Sequence, residues 1–159
     1  MGDITRNLSR HEFECKDGCG LSEPHPVLVV GVQRVVNMTP GCRGVIITSG
    51  SRCREHQLDL VRRGVSTARA SWHLPRPDRG GYTLAADCIF LGVEQLAALV
   101  TAQKLPEFAF GGLGVYVGAT CRLHLDVRGT RARWGSVFGA NTSFDAATAA
   151  LEKHGKVQP

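Results

Sequence analysis

Apolar and polar positions change period several times along the chain, and each change marks an expected element. From Val27 to Val36 (VLVVGVQRVV) apolar residues cover most of a helical surface, with Asn37 and Pro40 supplying the stop. Val45-Ile46-Ile47-Thr48 is a short β-branched run closed by Ser49-Gly50, the pattern of a buried strand entering a tight loop. His56 to Arg63 has helical spacing. Gly64 to Tyr82 carries Pro75, Pro77, Gly80 and Gly81 and reads as an extended loop around His73. Leu84 to Phe90 predicts a strand, and Val93 to Gln103 (VEQLAALVTAQ) a helix ending before Pro106. Gly111-Gly112 opens a hairpin, with Gly114 to Gly118 as one strand and Arg122 to Arg128 as its partner. Ser143 caps a last, Ala-rich helix that runs to His154. No internal repeat interrupts this order, which predicts one mixed α and β domain over residues 1–159.

The second hairpin strand has two unlike faces. Strand alternation sends Arg122, His124, Asp126 and Arg128 to one side and Leu123, Leu125 and Val127 to the other. The apolar side belongs to a core. The polar side faces either solvent or a site.

Composition narrows the classes. A chain of 159 residues with 43% hydrophobic and 21% charged positions can bury a full core without disulfide staples. The six cysteines, at 15, 19, 42, 53, 88 and 121, are therefore expected to be reduced thiols. Cys15 and Cys19 enclose Lys16-Asp17-Gly18 and follow His11, which admits two readings: a small second zinc site, or a Gly-rich turn with incidental thiols. The net charge of +5 draws the chain to polyanions, nucleic acid and anionic envelope polymers alike. No aromatic-interleaved basic stripe, helix-turn-helix spacing or paired Cys/His finger accompanies it, so no specific nucleic-acid partner is expected. No apolar run is long enough for a membrane span. The start, MGDITRNLSRHEFE, lacks the basic onset and apolar core of a signal peptide, so synthesis in the cytoplasm is expected.

The chemistry lies in three segments. Ser71-Trp72-His73, Ala85-Ala86-Asp87 and Leu123-His124-Leu125-Asp126 together offer two imidazoles and a carboxylate suited to one zinc ion. Zinc takes such nitrogen and oxygen donors tetrahedrally, and a catalytic site uses three of them and leaves the fourth position open. Held so, the ion lowers the pKa of water to about 7 and polarises a carbonyl, which brings amide hydrolysis within reach at neutral pH.

Taken in order, Phe13-Glu14-Cys15, Ile47-Thr48-Ser49-Gly50-Ser51-Arg52-Cys53 with Glu55-His56, Ser71-Trp72-His73, Ala85-Ala86-Asp87, Gly112-Leu113-Gly114-Val115-Tyr116 and His124-Leu125-Asp126-Val127-Arg128-Gly129 resemble the M15 zinc peptidases. The likeness is to the small branch of that family found in phage endolysins and bacterial D-Ala-D-Ala carboxypeptidases, and it spans about residues 8 to 134. It implies an α+β fold, with a small, mostly antiparallel sheet, flanking helices and a hedgehog or D,D-peptidase-like zinc site. It implies His73, Asp87 and His124 as ligands of one Zn²⁺, and Arg52 as the residue that grips substrate, through a carboxylate or an oxyanion. The implied substrate is a stem or cross-link peptide of peptidoglycan, cut by a monomer that reaches the wall in a phage or prophage lysis programme with a holin.

The chain departs from the family pattern in two places. The family aspartate follows its histidine closely, whereas here residues 74 to 86 intervene, with Pro75-Arg76-Pro77-Asp78-Arg79-Gly80-Gly81 as a loop that tunes substrate choice or disturbs the ligands; Asp78 is a fallback ligand. Ala119-Thr120-Cys121 also stands where the family carries a catalytic carboxylate. Asp126, two residues beyond His124, then becomes the candidate general base, with a supporting role behind a ligand as its other reading and Glu107 as an outside candidate. His56 reads as a helix cap or packing residue, Tyr116 as a substrate donor or core residue, and Trp72 and Trp134 as walls of the site. His11, His25 and His154 are expected on the surface. A non-catalytic, zinc-containing wall-binding or assembly protein on the same scaffold is the alternative function.

Overall fold

The computed structural model describes residues 2–65, 70–155 and 157. Residues 66–69 of the expected 64–82 loop lie outside the described residues. Six strands, β1 (Gly44–Ser49), β2 (Ala85–Leu91), β3 (Gly112–Val117), β4 (Arg122–Asp126), β5 (Ala132–Val137) and β6 (Ala140–Thr142), form one sheet in the order β1-β2-β4-β3-β5-β6. Every pairing is antiparallel except that of β3 with β5. The fold is thus α+β with a mostly antiparallel sheet, as expected, and the mixed α and β pattern of the chain is borne out.

Helices α1 (Pro26–Met38), α3 (Gln95–Lys104), α4 (Pro106–Ala109) and α5 (Phe144–His154) join the core, and α2 (Arg54–Arg62) follows β1. Helix α1 begins where His25 Nδ1 accepts the Val27 N–H at 3.2 Å, with Pro26 pre-set for the first turn. His25 is therefore a half-buried cap rather than a surface residue. In α5 the Ser143 hydroxyl accepts the Ala146 N–H at 3.2 Å, as its sequence signature predicts. Leu28, Val32 and Val35 of α1, Leu99 of α3 and Leu151 of α5 bury against Phe90, Leu113, Val115, Leu123 and Leu125 of the sheet. Among the described residues no helix is long and apolar enough to cross a membrane.

Strands β5 and β6 carry no clear sequence signal. They are joined by a two-residue turn in which Phe138 (φ 48°) and Gly139 (φ 86°) are both left-handed. That geometry normally announces itself as Asn-Gly or Asp-Gly, and Phe at the first place hides it.

The opposite face of the sheet carries the polar residues. Cross-strand register sets Ser49 opposite Asp87, Asp87 opposite His124, His124 opposite Gly114 and Gly114 opposite Trp134, so one row crosses five strands. A bulge between Ile47 and Ser49 re-phases the end of β1 and delivers Ser49 into that row.

Candidate metal centre

Asp87 and His124 meet because they are register partners with side chains on one face: His124 Nδ1 lies 2.9 Å from Asp87 Oδ1. His73 reaches the same carboxylate from a loop, with Nε2 3.6 Å from Asp87 Oδ2. That loop is tied down on both sides. The Arg52 N–H donates to the His73 carbonyl at 2.7 Å, and the Leu84 N–H donates to the Trp72 carbonyl at 3.0 Å. One donor atom from each of His73, Asp87 and His124 lies within 4.8 Å of the others. The three residues the sequence nominates do converge, and all three are buried.

The chemistry of the donors fits a metal such as zinc. A ligating histidine is normally fixed by a partner on its other nitrogen, which selects the tautomer and raises basicity. His73 Nδ1 donates to the Gly50 carbonyl at 2.7 Å, leaving Nε2 toward Asp87. His124 Nε2 donates to Asp126 Oδ2 at 3.0 Å, leaving Nδ1 on the Asp87 side. Each imidazole is thus held from behind and presents one nitrogen to the shared carboxylate.

Asp126 is fully buried. Its Oδ1 accepts the Gly112 N–H at 2.8 Å and the Arg128 N–H at 3.1 Å, and the Arg128 guanidinium donates to both of its oxygens, Nε at 2.8 and 2.9 Å and Nη2 to Oδ2. A general base needs a lone pair open to the reacting proton. Asp126 is enclosed behind His124, so the geometry matches the supporting role and not that of the base. Arg128 is itself pinned between two indoles, its guanidinium carbon 5.1 Å from the ring centroids of Trp72 and of Trp134. Sequence alternation places Arg128 on this face but assigns it no task; the clue was the Asp-x-Arg spacing beside a candidate ligand.

Arg52 stands beside the ligands, bonded through Nη2 to Asp87 Oδ2 (3.2 Å), through Nε to Ser49 Oγ (2.9 Å) and through Nη1 to Gln57 Oε1 (3.1 Å). Tyr116 lies under Arg122 on the same face, and its hydroxyl oxygen accepts the Trp134 indole N–H at 3.1 Å.

Charges settle accordingly. Burial drives His73 toward the neutral form against the pull of Asp87. For His124 burial acts the same way, but hydrogen bonds to Asp126 and Asp87 outweigh it and raise the pKa. Burial would raise Asp87, yet the two histidines hold its carboxyl well below the usual carboxylate range. Burial also opposes the charge on Asp126, and His124 and Arg128 overcome it and keep the group ionised.

The remaining candidates fall outside this group. Asp78 is exposed and pairs with Arg76 and Arg79, while Arg76 stacks on Trp72 at 4.6 Å. The 75–81 insertion closes on itself through hydrogen bonds from the Arg76 N–H to the Tyr82 carbonyl and from the Gly81 N–H to the Arg76 carbonyl. Glu107 of α4 is paired with Arg34 of α1 at 2.6 Å, away from the row of ligands. His11 and His154 are exposed, as expected. All six cysteines are free thiols. Cys15 does meet other donors, but they are Asp17, Cys19 and Cys53 rather than His11, and His56 Nδ1 stands 3.2 Å from its sulfur. Comparison of the chain with family models, with curated proteins and with solved structures finds no match.

Proposed function

We propose that the protein is a zinc-dependent peptidase that hydrolyses amide bonds in peptidoglycan stem or cross-link peptides, on a hedgehog or D,D-peptidase-like scaffold. The observation that carries this reading is the convergence of His73 Nε2, Asp87 and His124 Nδ1, with the rear nitrogen of each imidazole already satisfied. Zinc bound by these three residues supplies a Lewis acid that acidifies water and polarises a carbonyl. Asp126 keeps the His124 tautomer fixed, and Arg128 and the Gly112 N–H keep Asp126 ionised and in place. A guanidinium has five N–H groups. Arg52 commits one each to Asp87, Ser49 and Gln57, and the others serve to hold a peptide carboxylate or the oxyanion of the attacked carbonyl. Tyr116, whose oxygen accepts from Trp134, keeps its own O–H to donate to substrate.

The enclosure of Asp126 favours one second reading, a zinc-containing wall-binding module without turnover. A single experiment separates the two. Zinc-loaded protein is incubated with purified peptidoglycan and with defined muropeptides, and released D-Ala and new amino termini are measured. The peptidase reading expects products from the loaded wild type and none from His124→Ala. Normal binding of the peptides with every bond intact would establish the binding module and end the peptidase reading.

A further inference from the structure

A second set of metal-type donors lies apart from the first. The chain from Cys15 to Gly20 curls tightly, with Gly18 (φ 78°) and Gly20 (φ 76°) left-handed and the Cys15 N–H donating to the Leu21 carbonyl at 2.8 Å. The curl carries Cys15, Asp17 and Cys19 to the start of α2, where Cys53 is the N-cap residue. One donor atom from each of Cys15, Asp17, Cys19 and Cys53 lies within 4.8 Å of all the others. Asp17 is the hub: Cys15 Sγ lies 3.0 Å from its Oδ1 and Cys53 Sγ 3.0 Å from its Oδ2. The sulfurs also receive N–H groups, from Cys53 to Cys15 at 3.3 Å and from His56 to Cys53 at 3.3 Å.

We propose that Cys15, Cys19 and Cys53 are thiolate ligands of a second divalent ion, zinc by the softness of its donors, with the Asp17 carboxylate closing a four-donor structural shell. Three thiols and a carboxylate from two distant segments gather on one point, with the carboxylate bonded to two of the sulfurs. A bound divalent cation deprotonates its coordinating thiols. The N–H groups already aimed at Cys15 and Cys53 then stabilise the sulfur charge. His56, in the first turn of α2, stands behind the shell with its ring on Cys15.

This ion would join two segments distant in sequence. The Ser51 N–H donates to the Phe13 carbonyl at 2.8 Å, so the N-terminal segment already rests on the loop that carries Gly50 and Arg52. Metal bridging of Cys15 and Cys19 to Cys53 clamps that loop from its far side. The inference does not rest on the peptidase reading.

The test is metal content and cobalt spectroscopy on the full chain. Expected are two zinc ions per wild-type chain, one in Cys19→Ser, one in Cys53→Ser and one in His124→Ala. Cobalt(II) in place of zinc should give sulfur-to-metal charge-transfer absorption in the wild type and in His124→Ala, and lose it in Cys53→Ser. The wild-type spectrum needs no variant to fold, and Cys19 is exposed enough for its replacement to be tolerated. Cobalt-loaded wild type without the band would overturn the proposal. So would a zinc content unchanged in both cysteine variants, or a disulfide from Cys53 to Cys15 or Cys19 in metal-loaded protein. One ion in the wild type, kept in His124→Ala and lost in Cys53→Ser, would uphold this site while removing the His73, Asp87 and His124 centre.

Discussion

His124 is held from two sides by carboxylates with different tasks, and this distinction decides how substitutions there should behave. Asp87 shares the ligand side, and Asp126 stands behind the ring, braced by Arg128. Residues behind a ligand typically contribute about 10–100-fold to metal affinity or activity. Asp126→Ala is therefore expected to weaken zinc binding at this centre about 10–100-fold, measured by competition with a chromophoric chelator. A general base would instead leave affinity unchanged and lower only turnover. Tyr116→Phe should keep zinc and reduce kcat/KM on muropeptides by about tenfold, the loss of one hydrogen bond of about 1–1.5 kcal/mol. At this scale the candidate ligands were legible in the sequence, because imidazole and carboxylate chemistry is written in residue identity. The role of Asp126 was not, since its position two residues from His124 is the same for a base and for a brace. Only the Gly112 N–H, which arrives from β3, and the way the neighbouring Arg128 guanidinium folds back on the carboxylate separate the two.

Strand register is what turns these residues into a centre. Gly114 lies between His124 and Trp134 in the row, and a Cβ there would sit 2.7 Å from the Trp134 indole. Gly114→Ala is expected to displace Trp134 and cost about 1–3 kcal/mol, as other small-to-large changes in packed settings do, seen as a fall in Tm with weaker zinc binding. Phe90→Ala, on the helix-covered face of β2, should cost about 3–5 kcal/mol in denaturant unfolding while the folded protein keeps its zinc affinity. The β3–β4 hairpin was readable from alternation between glycines. The parallel partner β5 was not, because Ala132-Arg133-Trp134-Gly135-Ser136-Val137 alternates weakly. Its Gly135 is dictated from outside, by Ala147 of α5 lying where a side chain would go. The 75–81 insertion was expected to matter to the site, and its Arg76 reaches only as far as Trp72.

For the molecule as a whole, core and site occupy opposite faces of one sheet. The apolar cluster under the helices contains none of the three candidate ligands, so its packing does not depend on a metal at that centre. Chelation should accordingly leave the far-ultraviolet circular dichroism native while lowering Tm. Restoring zinc to a thousandfold above its Kd should return about 4 kcal/mol of stability, followed by calorimetry across a zinc titration. The α+β class was legible because each face of the sheet follows its own residue pattern. The order of strands was not, since β4 inserts between β2 and β3 through contacts that no local stretch encodes.

The sandwich of Arg128 between Trp72 and Trp134 has an optical consequence. These are the only two tryptophans in the chain, and the Trp134 ring centroid lies 4.8 Å from that of His124. An ion bound by that imidazole alters the surroundings of the indole packed on it, so the protein's own fluorescence should change as the centre fills, giving a label-free readout of occupancy that Trp134→Phe would silence.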